Sequence, residues 1–139
     1  MPMPLDYQRA TEDFNRFLAD VIEETGLATR NQAYTTVQSV FVVFRRRLKP
    51  RDALRFAGLL PPVLRAIFVA DWDVDAPLLA FGSRSDLTRE AQMLRQHHNF
   101  SPDSAIGDVA RALRRHVDAV AFEQLLSTLP QEAADFWAI

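Results

Sequence analysis

Leu60-Pro61-Pro62-Val63-Leu64-Arg65-Ala66-Ile67-Phe68 and, 69 positions later, Leu129-Pro130-Gln131-Glu132-Ala133-Ala134-Asp135-Phe136-Trp137 are the stretches on which the reading of this chain turns. At the same offset, Phe44-Arg45-Arg46-Arg47-Leu48 falls on Leu113-Arg114-Arg115-His116-Val117. Two matches at one spacing predict two copies of one helical unit, and a repeat decides architecture before any local assignment. The expected fold is all-α: one domain over 1–139, a helical bundle of two similar units of about four helices each. The first unit is expected over 11–72, a linker over 73–83 and the second unit over 84–139.

Working outward from the echo, the 3.6-residue period runs almost everywhere. Phe14, Phe17, Leu18, Val21 and Ile22 mark a first helix, with Thr11 or Asp13 as its cap and Gly26 as its left-handed stop. A second begins near Thr29, turns Ala33, Val37, Val40, Phe41, Phe44 and Leu48 inward, and is stopped by Pro50. A short helix from Arg51 to about Leu59 follows. Pro61 and Pro62 open a fourth, where missing N–H groups cost little. Asp, Pro, Gly and Ser then cluster over 73–83. The second unit restarts with a helix from about Arg84 to His98, with Asn99 in the capping role of Gly26. Ser101-Pro102 reads as the start of the next helix, whose inward stripe is Ile106, Val109, Ala110, Leu113 and Val117. Phe122, Leu125 and Leu126 precede the closing helix. The first helices match at an offset of 73, which places a gap between Gly26 and Val37.

Composition bounds the function. Of 139 residues, 48% are apolar and 24% charged, enough for a core and for its solvation. A net charge of −2 argues against a molecule that binds nucleic acid by overall charge. The chain has no cysteine, which excludes disulfides and thiol chemistry and fits a cytoplasmic location. Met1 to Asp6 lacks the basic and apolar regions of a signal peptide, and the longest apolar run, Val40 to Phe44, is too short for a membrane span. There is no phosphate-binding Gly loop, no His-Glu-x-x-His and no Gly-x-Ser-x-Gly, so no catalytic residue, cofactor or metal is assigned.

The stretch from Leu60 to Trp72 resembles the signature of the domain of unknown function 2267 family, in which Leu-Pro, apolar residues, an Arg, an aromatic and a Trp follow one another. Leu129 to Trp137 is similar to the close of that family's second half. The resemblance extends from about Phe14 to Trp137 and implies an all-helical bacterial domain. It implies no activity. At Ala66, Val69 and Asp71 the family more often carries a glycine, a second aromatic and a glycine.

Three surfaces compete for a function. The leading expectation is a non-catalytic, self-associating interaction module, with a homodimer or another protein as partner. The second helix is apolar nearly all round, so it is either central or in a subunit contact. Val42 and Val43, with Leu78, Leu79 and Phe81 of the linker, are the interface candidates. A second reading gives the paired basic runs, Arg45, Arg46, Arg47 and Arg114, Arg115, His116, an anion site for nucleic acid or a phosphorylated small molecule. Against it, cations in the last turn of a helix complement the dipole without any ligand. A third reading places a small-ligand pocket between the units at Arg65 and Trp72, which one continuing helix would bring to one side. The bland counterpart is a structural Arg beside a Trp that closes the core. Asp71, Asp73 and Asp75 open like a calcium loop, but Ala76 and Gly82 occupy the positions that need Gly and Glu. His97 and His98, being adjacent, do not face one metal, and are expected to cover the carbonyls at a helix end.

Overall fold

In the computed structural model, which describes residues 2–139, every regular element among the described residues is a helix. In order they are α1 (Leu5–Gln8), α2 (Ala10–Thr25), α3 (Arg30–Arg45), α4 (Pro50–Ala57) and α5 (Pro62–Val69). After a segment without helix come α6 (Arg84–Met93), α7 (Ala105–Arg114), α8 (Ala119–Ser127) and α9 (Gln131–Phe136). No helix of the described residues is long and apolar enough to cross a membrane.

Local chemistry explains most boundaries. Gly26 ends α2 at φ 75°, a left-handed conformation that costs glycine nothing. Thr29 starts α3 with a full capping box: its hydroxyl accepts from Gln32 N, and the Gln32 side chain accepts from Thr29 N. Pro62 is the first residue of α5, where its missing donor is not needed. Asp118 caps α8 by accepting from Ala121 N. Asp71 has φ 54°, a left-handed conformation that glycine adopts more readily than aspartate.

Other expected boundaries move. Thr11 and Asp13 lie within α2, because the helix opens at Ala10 with no side-chain cap. Pro50 does not stop α3, which already ends at Arg45; it begins α4. The helix expected to reach His98 ends at Met93, since Leu94 turns extended and Arg95 adopts φ 51°. Asn99 is therefore not a left-handed cap. Its side-chain amide does the capping instead: Nδ2 lies 2.8 Å from Ala91 O, 2.7 Å from Leu94 O and 3.0 Å from Ser39 Oγ. His97 and His98 are exposed and take no part in covering those carbonyls. Nor does Ser101 begin a helix. It is buried, its hydroxyl is paired with Thr36 Oγ1 at 2.9 Å, and α7 starts only at Ala105.

Helix α3 is the central element and packs against α2, α5, α6 and α7. Val40, Phe41, Val43 and Phe44 have no exposed surface, which explains its all-round apolar character. The most extensive helix pairings are α2 with α7 and α3 with α6, so each joins an element before the 73–83 segment to one after it. An aromatic cluster fills the centre. Trp137 stacks on Phe56 at 5.4 Å and meets Phe44 edge-on at 5.3 Å, while Phe68 contacts Phe41 and Phe56. Each fully buried ring of this kind contributes about 2–3 kcal/mol of transfer free energy, plus its aromatic contacts.

The Asn99 node joins the end of α6 to α3 through the carbonyls of Ala91 and Leu94 and the hydroxyl of Ser39. Asn99→Ala is expected to lower stability by about 2 kcal/mol, whereas His97→Ala and His98→Ala leave it unchanged; urea unfolding of the three variants measures this.

Candidate functional site

The two basic runs are the first candidates, and every member of both has a partner within the fold. Helix α5 ends with open carbonyls, as every helix does. Arg45 Nη1 donates to two carbonyls there, Phe68 O at 2.8 Å and Ala70 O at 2.9 Å. Arg114 does the same at the end of α9, donating from Nε and Nη2 to Trp137 O at 3.1 and 2.8 Å. Both arginines reach 23 positions along the chain. Each guanidinium also lies over an aromatic ring, Trp72 at 5.6 Å and Phe122 at 5.0 Å from the centroid.

The remaining members of the runs pair with acids across the 73–83 segment. Arg47 forms a bidentate pair with Glu90 of α6 at 3.0 and 2.6 Å, and Arg46 adds a bond to Oε2 at 3.1 Å. Arg115 pairs with Glu24 and Asp20 of α2, and His116 Nε2 shares a 2.6 Å hydrogen bond with Asp20. Burial by itself pushes the Glu90 carboxyl up, but the hydrogen bonds and charges of Arg47, then of Arg46, outweigh it and hold the group below its ordinary value. The geometry thus favours dipole completion and ion pairing over a shared anion groove for Arg45, Arg46, Arg47, Arg114, Arg115 and His116.

Arg65 and Trp72 are not brought together. Helix α5 stops at Val69 and Ala70 is extended, so the seven-residue spacing does not run along one helix. Arg65 Nη2 donates to Leu60 O at 3.0 Å and braces the turn before α5. Trp72 is half-buried, packs against the core and has Arg45, not Arg65, as its cation.

Of the interface candidates, Val43 is buried within the chain's own core, because the second helix is central, and it offers no surface. Phe81 is half-buried and packs towards Phe44 at 6.4 Å. Val42, Trp72 and Leu78, however, meet at one groove of about 310 Å³. Val42 and Leu48 line its α3 side, and Val74, Ala76, Pro77 and Leu78 line the other. The segment is pinned there by Leu79 N donating to Arg46 O and by Arg47 Nε donating to Ala80 O, both at 3.1 Å. Val74, Leu78 and Leu79 remain about half exposed. Arg45, Arg46, Asp71 and Asp73 bring both signs of charge to the same groove.

A second opening, between α6 and α7, contains Arg84 and Arg111, neither of which the sequence reading singled out as a site. One clue was available: Arg84 stands at the first position of α6, where a cation opposes the helix dipole. Gly107 inside α7 was another.

Glu90 links α6 to the end of α3, so Glu90→Gln is expected to cost about 2 kcal/mol at neutral pH, leaving the mostly buried Arg47 with a weaker partner. Because the folded-state carboxyl is held down, that contribution is present above the unfolded carboxylate value of about 4.3 and disappears as pH falls through the lower folded value. Chemical denaturation of both proteins from neutral pH down into acid measures the shrinking difference.

No curated protein matches the chain. The uncharacterized conserved protein family DUF2267 matches it over residues 14–136, nearly its whole length, and the chain belongs to that family.

Proposed function

We infer that this domain is a non-catalytic interaction module that associates with a second copy of itself through the groove between the end of α3 and residues 73–80. The observation that carries the reading is the convergence of Val42, Trp72, Val74 and Leu78 on one groove. Exposed apolar side chains grouped in this way mark contact surfaces, whereas single ones scattered over a surface do not. A twofold contact must be self-complementary, since the same patch meets itself. This groove meets that requirement: exposed Arg46 and the exposed carboxylates of Asp71 and Asp73 flank its apolar lining, so each copy offers both signs to the other. The internal engagement of Arg45, Arg47, Arg114 and Arg115 favours this reading over nucleic-acid binding by the basic runs.

Size exclusion with light scattering tests the reading. The wild type is expected to dimerise with rising concentration, and Leu78→Arg or Val42→Arg to remain monomeric with unchanged helicity by circular dichroism. A wild type that stays monomeric at every concentration overturns it.

A further inference from the structure

The cleft between α6 and the first half of α7 has a volume of about 770 Å³ and is open to solvent. Gly107 lines it, and two guanidinium groups pack against that glycine. Arg84 Nη2 lies 3.4 Å, and Arg111 Nη1 3.5 Å, from the point that a Cβ at residue 107 would occupy. The two cations are not equivalent. Arg111 is held by acids, Nε donating to Glu24 Oε2 at 2.9 Å and Nη2 to Asp108 Oδ1. Its Nη1 makes no such bond and, like Nη2 at 3.8 Å, lies against Gly107. Arg84 has no ion pair among the described residues, and its guanidinium makes no hydrogen bond there. Loss of solvent around it, then the charge of Arg111, pull its proton affinity below that of an ordinary arginine.

Three features therefore place Arg84 unfavourably: a like charge beside it, partial desolvation, and the positive end of the α6 dipole. A long surface side chain ordinarily escapes such a position by swinging into water. Unspent N–H donors of both residues instead line one open cleft, and a tetrahedral dianion accepts from donors so placed. Further donors stand nearby. Ser85 Oγ accepts from Arg89 Nη2 at 3.3 Å, which leaves its own hydroxyl hydrogen to give. Other polar groups of the cleft are already committed: Ser104 Oγ donates to Asp108 Oδ2 at 2.6 Å, and Gln92 Nε2 donates to Ser101 O and Asp103 Oδ1. The volume is in the range of small-molecule pockets and exceeds what a lone phosphate fills.

We propose that the Arg84–Arg111 cleft is a binding site for the phosphate group of a small phosphorylated molecule. Arg84 supplies the principal charge-assisted hydrogen bonds and Arg111 Nη1 a second arm, while Gly107 lets both guanidinium groups pack close to the α7 backbone. The site is separate from the groove at Val42 and Leu78 and from the paired basic runs.

Titration of the ¹⁵N-labelled protein with inorganic phosphate and, separately, with adenosine 5′-monophosphate tests this, sodium chloride holding the ionic strength constant. The expected result is saturable shifts of the Gly107 and Ser85 amides with both probes, tighter for the monophosphate because the cleft is larger than phosphate. Arg84→Gln is expected to weaken binding at least about tenfold, while its melting temperature in chloride stays the same or rises, since no bond is lost and a like charge is removed. Arg95→Gln, an exposed arginine outside the cleft, is the control and binds as the wild type does. Absence of saturable shifts with either probe overturns the proposal, as does equal affinity in Arg84→Gln. Equal affinity of phosphate and monophosphate sinks the small-molecule part and leaves a site for free phosphate.

Discussion

The structure depends on how the last helices before and after the 73–83 segment are ended. Helices α5 and α9 both stop against the aromatic core, where their final carbonyls, that of Phe68 most of all, lie in buried or partly buried surroundings. An open carbonyl in that setting costs about 1–3 kcal/mol. One arginine from the end of each long helix answers it, Arg45 at Phe68 and Ala70, Arg114 at Trp137. Arginine suits the task because it stays charged, offers several donors from one planar group and lies flat on a ring while donating from its edge. Phe68 and Trp137 are themselves core residues, so the same bonds that satisfy the carbonyls hold the aromatic cluster in register.

With Arg45 and Arg114 committed to these caps, the neighbouring basic residues face outwards to other helices. Arg46 and Arg47 at the end of α3 meet Glu90 of α6; Arg115 and His116 after α7 meet Asp20 and Glu24 of α2. Those are the same helix pairings that pack most extensively, α3 with α6 and α2 with α7. Apolar contact and ion pairing thus act across the same junctions. The arrangement ties residues before 73 to those after 83 at both ends of the bundle, and each stabilises the other's long helix.

This division of labour separates charges that the fold uses from those that it does not. The basic runs are conspicuous in sequence and structurally occupied. Arg84 and the Nη1 edge of Arg111 are inconspicuous and, among the described residues, make no ion pair or hydrogen bond, and they lie against Gly107. A similar contrast holds for the apolar residues. Val43 is in the core, whereas Val42, one position earlier and turned by 100° around the helix, reaches the groove with Trp72 and Leu78.

Sequence alone determined the helical class, the stop at Gly26 and the helix start at Pro61-Pro62. Those follow from local rules: the 3.6-residue period, glycine's access to positive φ, and proline's missing donor. The end of α6 was not legible. It rests on Asn99 reaching back eight residues to Ala91 and across sixty to Ser39, and no local preference encodes such a reach. Nor was the fate of the arginines, because a basic run at a helix end looks the same whether water, a ligand or a buried carbonyl is its partner. Only the tertiary structure decided that Arg45 and Arg114 serve the core, that Trp72 joins Val42 instead of Arg65, and that Arg84 meets Arg111. Each outcome is a meeting of groups far apart in the chain, and which groups meet is set by packing, not by spacing.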